Sequence, residues 1–383
     1  MRHNVLGDDA PGQRPVSRMS ISVMQVLHQG GGAGSVTSTL HLSLGLAHAG
    51  LRVRFVCPPD SEVETLARAG GLEVHSLKLK PHRRRDNAAK LAALLDRYPV
   101  DLINSQSARD REALTWWGLT GRLPAPLVVT RRQMPRTFFL ENWLMSRLAA
   151  QVVAVSRAVG DALIRRGTPK QKLTVIPNGV VTARIDVPVS DASIGEWKAR
   201  IGWEPGRRTI GIVARPKDQE VVLRALPDVR TPVRLVLAGV EPQSWLGQLA
   251  KNVAAPHRVV CLAFTPDVRP LYDLLDLVML PSESEGLSQA LLEAMALGKP
   301  VIASASTGNL DLVTEGVDGR LVSPRTPRAW AGAIDELLTD AGLARRLGTA
   351  ARRTARETFG LARTVARTTQ LYESLLQGRP RRV

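Results

Sequence analysis

From Ser20 onward, short runs of β-branched and other apolar residues alternate with longer stretches of helical period. That alternation is the pattern of a parallel sheet covered by helices. The runs Ile21–Leu27, Val53–Cys57, Leu102–Asn104, Leu127–Thr130, Val152–Val155 and Leu173–Ile176 read as a first series of strands. Pro177-Asn178-Gly179 interrupts the pattern, and the irregular stretch that follows to about Gly206 reads as a hinge. A second series comprises Thr209–Val213, Val233–Ala238, Val259–Leu262, Leu277–Leu280, Val301–Ala303 and Arg320–Val322. The expectation is two doubly wound α/β domains, 20–182 and 183–360, behind a loose polar tail at 1–19. Beyond Thr326 the period is helical almost throughout, with Gly342 and Gly348 as expected interruptions. A last helix of about 17 residues follows Gly360, and its apolar positions Leu361, Val365, Leu371, Leu375 and Leu376 require a surface to pack on.

Length agrees with this division, since 383 residues exceed what one hydrophobic core normally serves. An apolar content of 44% excludes disorder. No run reaches the roughly 18 uncharged apolar residues of a spanning helix. The start lacks the apolar core of a signal peptide, so a cytoplasmic location is expected. Cys57 and Cys261 lie in apolar runs of different halves, which suits reduced, buried thiols better than a disulfide or a metal site.

The formal charge of +17 is concentrated in the first half: residues 1–190 hold 26 Lys+Arg against 14 Asp+Glu, leaving 26 against 21 for the remainder. His82-Arg83-Arg84-Arg85 and Arg131-Arg132 stand near the amphipathic stretch Lys90–Leu95 and near Phe138, Phe139, Trp143 and Leu144. Two readings fit: peripheral contact of a basic N-terminal domain with the inner face of an anionic membrane, or a solvated arginine-rich surface. Nucleic acid is not an expected partner. The basic charge comes without an RNP aromatic pair, KH loop, zinc spacing or helix-turn-helix, and aromatic residues are only 4% of the chain.

The most informative segment is Pro281-Ser282-Glu283-Ser284-Glu285-Gly286-Leu287-Ser288-Gln289-Ala290-Leu291-Leu292-Glu293. An apolar strand ends in a polar turn that opens into a helix capped by Ser284, Gly286 or Ser288. Free amides and the positive helix end make such a place an anion seat. Counting Glu285 to Glu293 at a helical rise separates them by about 12 Å, which suits a nucleotide-sugar, one carboxylate on sugar hydroxyls and the other on ribose. The plain alternative is a capping-region acid and a solvated helix acid. A second feature is Arg215 and Lys217, at the carboxyl end of the first strand of the second domain. Cations there can stabilise a diphosphate leaving group; otherwise they are two surface charges in a loop. The third is the glycine loop Gly30-Gly31-Gly32-Ala33-Gly34 after the first strand, either a close approach for a ligand or a bare turn. It is not a nicotinamide fingerprint. Ser35 stands where GxGxxG needs its third glycine, and the strand ending at Cys57 carries no acid for an adenine ribose.

On these residues the stretch 20–376 resembles the retaining GT-B glycosyltransferases of the family 4, or group 1, type. Glu285-Gly286 with Glu293-Ala294 resembles the family's E-x7-E element. Gly298-Lys299-Pro300-Val301-Ile302-Ala303, Glu315-Gly316-Val317-Asp318-Gly319-Arg320-Leu321-Val322, Val155-Ser156 and Ile176-Pro177-Asn178-Gly179-Val180 are similar to its other signposts. The resemblance implies two Rossmann-like domains facing a central cleft, with the C-terminal segment 361–383 crossing back to the first. It implies transfer from a nucleotide-diphosphate sugar, a UDP-sugar ahead of a GDP-sugar, to a glycan, lipid or metabolite acceptor with retention, in glycan, glycolipid or glycoconjugate biosynthesis. By the same likeness Glu285 touches sugar hydroxyls, Glu293 the ribose, and Gly286, Leu287 and Ser288 the phosphates through their amides. Arg215 and Lys217 meet the leaving diphosphate, Ser284, Gln289 and Phe264 border the donor, and Gly31, Gly32 and Gly34 border phosphate and acceptor. No cofactor or metal is implied.

The chain departs from the family pattern at three places. Gln106 stands where relatives carry a histidine near the reacting sugar, and it can donate a hydrogen bond but cannot act as a base. The loop from Arg215 to Lys217 is shorter than the common form. Thr307-Gly308-Asn309-Leu310-Asp311 replaces a glycine pair followed by glutamate. A nucleotide-sugar 2-epimerase of GT-B architecture is the rival reading.

Overall fold

The computed structural model describes residues 20–265 and 267–378; the tail expected at 1–19 and residues 379–383 of the C-terminal segment lie outside the described residues. The chain divides into two compact units, one running to Gly179 and resuming at Leu361, the other Val180–Gly360.

The first unit is built on seven strands: β1 (Ser22–Val26), β2 (Arg52–Cys57), β3 (Glu73–Ser76), β4 (Leu102–Ser105), β5 (Leu127–Arg131), β6 (Gln151–Ala154) and β7 (Leu173–Val175). They pair in parallel in the order β3-β2-β1-β4-β5-β6-β7. The six strands of the second unit are β8 (Arg208–Val213), β9 (Val233–Ala238), β10 (Arg258–Leu262), β11 (Leu277–Leu280), β12 (Val301–Ser304) and β13 (Arg320–Val322). Their order is β10-β9-β8-β11-β12-β13, again all parallel. Strands covered on both faces bury every residue, so β1, β4, β9, β11 and β12 are buried along their whole length and show no apolar–polar alternation, with Gln25, Asn104 and Arg234 as buried polar members.

β3 escapes a hydrophobic reading because it is an edge strand, and its Glu73 and His75 serve as polar partners: Glu73 accepts from Arg54 at 2.9 Å and from His75 at 3.2 Å. The segment read as a hinge holds two helices, Thr182–Asp186 and Asp191–Ile201.

Gly342 and Gly348 do not interrupt a helix. The break falls at Asp340, whose side chain caps the next helix by accepting from the Leu343 amide at 2.8 Å, and Ala341–Thr358 runs through both glycines. Gly348 is there for packing, since a Cβ on it would lie 2.3 Å from the carbonyl oxygen of Gly298.

The last helix, Leu361–Leu376, belongs to the core of the first unit through Val365, Tyr372 and Leu376. Its buried stripe also takes in Thr364 and Thr368, while Leu371 and Leu375 pack only partly buried. Both cysteines are free, and burial pushes the Cys57 thiol up to about 12. Among the described residues no helix is long and apolar enough to cross a membrane.

Candidate active site

In each unit the strand order reverses once, between β1 and β4 in the first and between β8 and β11 in the second. Loops leaving the carboxyl ends of two such neighbours diverge and open a crevice, which is where ligands of open α/β sheets bind.

In the second unit these loops are Ala214–Asp218 after β8 and Pro281–Ser288 after β11. Ser288 is the cap of the helix Gln289–Ala296; its hydroxyl accepts from the Leu291 amide at 3.3 Å. Ser284 and Gly286 lie upstream in the turn. Glu285 therefore stands outside the helix, and a spacing to Glu293 counted at helical rise does not apply to the first part of that path.

The loops are tied together. The Lys217 ammonium pairs with the Glu285 carboxylate and reaches the Ser284 carbonyl at 3.4 Å. The Asp218 carboxylate accepts from the Glu283 amide at 2.7 Å. Buried Gln219 shapes the β8 loop, accepting from the Lys217 amide at 2.5 Å and donating to the Arg215 carbonyl at 2.8 Å. The Arg215 side chain is exposed and has no ion pair among the described residues.

A third loop, after β12, closes on the same turn. The Thr307 hydroxyl accepts from the Glu285 amide at 2.9 Å, and the Gly308 amide donates to the Glu285 carbonyl at 3.2 Å. Thr307 holds a φ of 39°, and a Cβ on Gly308 would fall 1.9 Å from the Gly286 carbonyl oxygen. The sequence that departs from the family's glycine pair thus keeps one glycine where backbone meets backbone.

Glu293 is not a solvated helix acid. It is half-buried, and burial pushes its carboxyl above the ordinary range; the nearby Arg184 charge and a 3.4 Å hydrogen bond from Gln289 Nε2 oppose the rise. The Oε1 of buried Gln289 has no hydrogen-bond partner among the described residues. Leu287 is buried, and Phe264, beyond the end of β10, is exposed. Arg184 carries no signal in the sequence, since it comes from the stretch read as a hinge; Thr307 stands in a segment singled out for its departure from the family pattern, but its hydrogen bond to the Glu285 amide arises only on folding.

In the first unit Gly30–Gly32 form the turn after β1, Gly32 with a φ of 65°, and Gly34 begins the helix Gly34–His48, whose first turn has no side-chain cap. Gln106 follows β4 but is only 3% exposed. Its Nε2 donates to Gln25 at 2.6 Å and its Oε1 accepts from Arg132 at 3.1 Å. The Gln106 amide is thus engaged at both its nitrogen and its oxygen.

Arg131 and Arg132 are likewise buried and add nothing to a basic surface. Burial lowers Arg132 to about 10; it rests on neutral acceptors, Gln106, the Ser38 hydroxyl at 3.2 Å and Asn178.

The β1 and β4 loops are joined by a cluster the sequence reading missed. His28 Nδ1 lies 2.6 Å from the Ser107 hydroxyl and 3.2 Å from Asp110 Oδ1. Asp110 is fully buried and also accepts from the Ser105 hydroxyl at 2.7 Å and from the amides of Gln106 and Ser107 at 2.8 and 2.9 Å. Burial opposes its ionisation, yet the hydrogen bonds and the charge of His28 hold it below the usual carboxylate range.

Comparison with known proteins identifies this architecture. Residues 194–354 match the model of glycosyl transferases group 1, and residues 32–184 match that of glycosyltransferase family 4. The chain is 28% identical to an uncharacterised glycosyltransferase of Methanocaldococcus jannaschii over 62% of its own length and 63% of the relative's. It is 30% identical to the D-inositol 3-phosphate glycosyltransferase of Thermobispora bispora over 60% of its length and 56% of the relative's. In both, the matched stretch is under two thirds of the relative. The structure of Anabaena HepE, solved with UDP-glucose, superposes with a TM-score of 0.81 at 21% identity, covering 92% of this chain and all of that one. The fold is that of the GT-B glycosyltransferases. The chain belongs to the group 1, family 4 glycosyltransferases.

Proposed function

We propose that the protein transfers a glycosyl residue from a nucleoside-diphosphate sugar to an acceptor hydroxyl with retention, and that the crevice between the β8 and β11 loops seats the donor. The observation that carries the reading is the pairing of Lys217 with Glu285 beside the Ser288-capped helix start, which gathers a cation, a carboxylate and the positive end of a helix at the strand-order reversal.

The chemistry follows from the charges. As the anomeric C–O bond breaks, the leaving diphosphate gains negative charge; Arg215 and the amides of Gly286, Leu287 and Ser288 meet it, with the positive helix end behind them. Charge-assisted contacts of this kind are each worth about 1.5–3 kcal/mol. Glu285, held by Lys217, faces the sugar hydroxyls. Glu293, with Gln289 one turn before it, takes the ribose. The acceptor oxygen attacks from the face the diphosphate leaves, and its proton passes to the departing phosphate oxygen. UDP is the favoured nucleotide, a reading supported by the UDP-glucose in the HepE structure. The acceptor is a glycan, lipid or metabolite hydroxyl.

Incubation with a panel of UDP- and GDP-sugars tests this. Release of nucleoside diphosphate together with an acceptor product of unchanged anomeric configuration by NMR is expected. Deuterium incorporation at C2 of a donor without any acceptor would instead establish epimerisation.

A further inference from the structure

We propose that the helical side of the first unit bearing Phe138, Phe139, Leu140 and Trp143 docks on an anionic lipid bilayer. Three consecutive large apolar residues stand in water: Phe138 is 82% exposed, Phe139 61% and Leu140 63%. They open the helix Phe139–Leu148, with Trp143 one turn further and exposed as well. A run of that kind on an otherwise well-packed unit marks an interaction surface rather than the scattered apolar residues of an ordinary exterior.

The surroundings select the partner. Arg136 and Arg147 are exposed on the same segment, and the Arg147 guanidinium stacks on the Trp143 ring at 5.2 Å. Arg166 reaches the same place, donating to the Thr137 carbonyl at 2.8 Å. Glu141 is the one acid of the helix.

The helix Ala108–Thr120 packs beside both this helix and Arg84–Arg97, extending the surface. There Arg84 lies over the Trp116 ring at 4.6 Å, and a groove is lined by Arg85, Ala88, Trp116 and Trp117. Arg83, just before the helix Arg84–Arg97, and Leu119, near the end of Ala108–Thr120, are exposed. Aromatic rings interleaved with arginines are the composition that settles at the headgroup–acyl boundary, rings at the carbonyl level and guanidinium groups on phosphates. A protein partner of mixed charge would not call for this surplus of cations, whereas an anionic leaflet complements it. The burial of Arg131 and Arg132 places the basic contribution on Arg84, Arg85, Arg136, Arg147 and Arg166 instead.

The inference stands apart from the donor site and is tested without it. The full chain is sedimented with vesicles of phosphatidylcholine containing phosphatidylglycerol and with vesicles of phosphatidylcholine alone. The wild type is expected to partition onto the anionic vesicles only, and less so as salt is raised. The double variant Phe138→Ser/Leu140→Ser is expected to lose about tenfold or more of that partitioning, the scale of two apolar side chains no longer buried. Because both side chains are exposed, its melting temperature should stay within about 4 °C of wild type, so lost binding does not report misfolding. Absence of wild-type binding, equal binding to both vesicles, or an unaffected variant overturns the proposal. So does a concentration-dependent dimer that the double variant abolishes, which would make the patch a contact between copies.

Discussion

Replacing Glu285 by glutamine separates a role in the reaction from a role in the fold. In the structure the Glu285 side chain is 17% exposed and its Lys217 partner 43%. A pair open to solvent on one side contributes under about 1 kcal/mol, because the Coulomb gain is screened and a long lysine chain must be held still. In a unit of this size 1 kcal/mol moves the melting temperature by about 2–4 °C, so Glu285→Gln should melt within that range of wild type. Loss of a preorganised charge that acts on the reacting sugar costs about 10²–10³ in turnover, some 2.7–4 kcal/mol. The activity loss should therefore exceed the stability loss several-fold in free energy. Nucleoside diphosphate release at saturating donor and a thermal melt on the same preparation measure both. Because Lys217 orients Glu285, Lys217→Ala should give a smaller loss, and the double variant should fall little below Glu285→Gln alone. Turnover within threefold of wild type, or strictly additive losses, would refute the reasoning.

Three further outcomes follow from the same geometry. Arg215→Ala should lower turnover by about two orders of magnitude with an unchanged melting temperature, since its exposed side chain has no ion pair among the described residues. A loss smaller than tenfold in a steady-state assay would remove it from the site. Glu293→Gln should weaken donor binding in calorimetry and at the same time stabilise the free protein at neutral pH. Burial raises this carboxyl in the fold, so it costs stability once pH rises above the unfolded value, and the neutral amide relieves that cost; a less stable free variant would contradict this. Asp110 has the opposite sign. Its folded value is depressed, so its stabilisation is present above the unfolded value and is lost as pH falls through the folded one. Asp110→Asn should therefore lower the melting temperature at neutral pH and flatten its acid limb; a parallel shift at every pH would count against that assignment.

Much of the fold is legible in the chain because both sheets are covered on two sides, which leaves strands as short runs dominated by apolar residues. β3 is not, since edge position lets Glu73 and His75 stand in it. Glycines mislead where they serve packing, as at Gly348, rather than chain reversal. At the candidate site, the turn that carries Glu285 and Ser288 is legible because its strand–turn–helix context is local, and Lys217 because it follows a recognisable strand; their ion pair, 68 positions apart, forms only on folding. The cluster of His28 with Asp110 is not, because it joins residues 82 positions apart that meet only when β1 lies beside β4. Charge is the least transferable reading of all: Arg131 and Arg132 look like surface cations until β5 carries them inside.

Donor seating in the second unit is tested most directly by thermal shift in the presence of a metal chelator, with UDP, GDP, ADP and TDP added in turn. Ligand at a hundred times its dissociation constant stabilises a fold by about 2.7 kcal/mol. One nucleotide, UDP by the reading above, should therefore raise the melting temperature by several degrees, and Arg215→Ala should shrink the rise. No shift with any of the four, or an equal shift in the Arg215→Ala protein, would contradict the account.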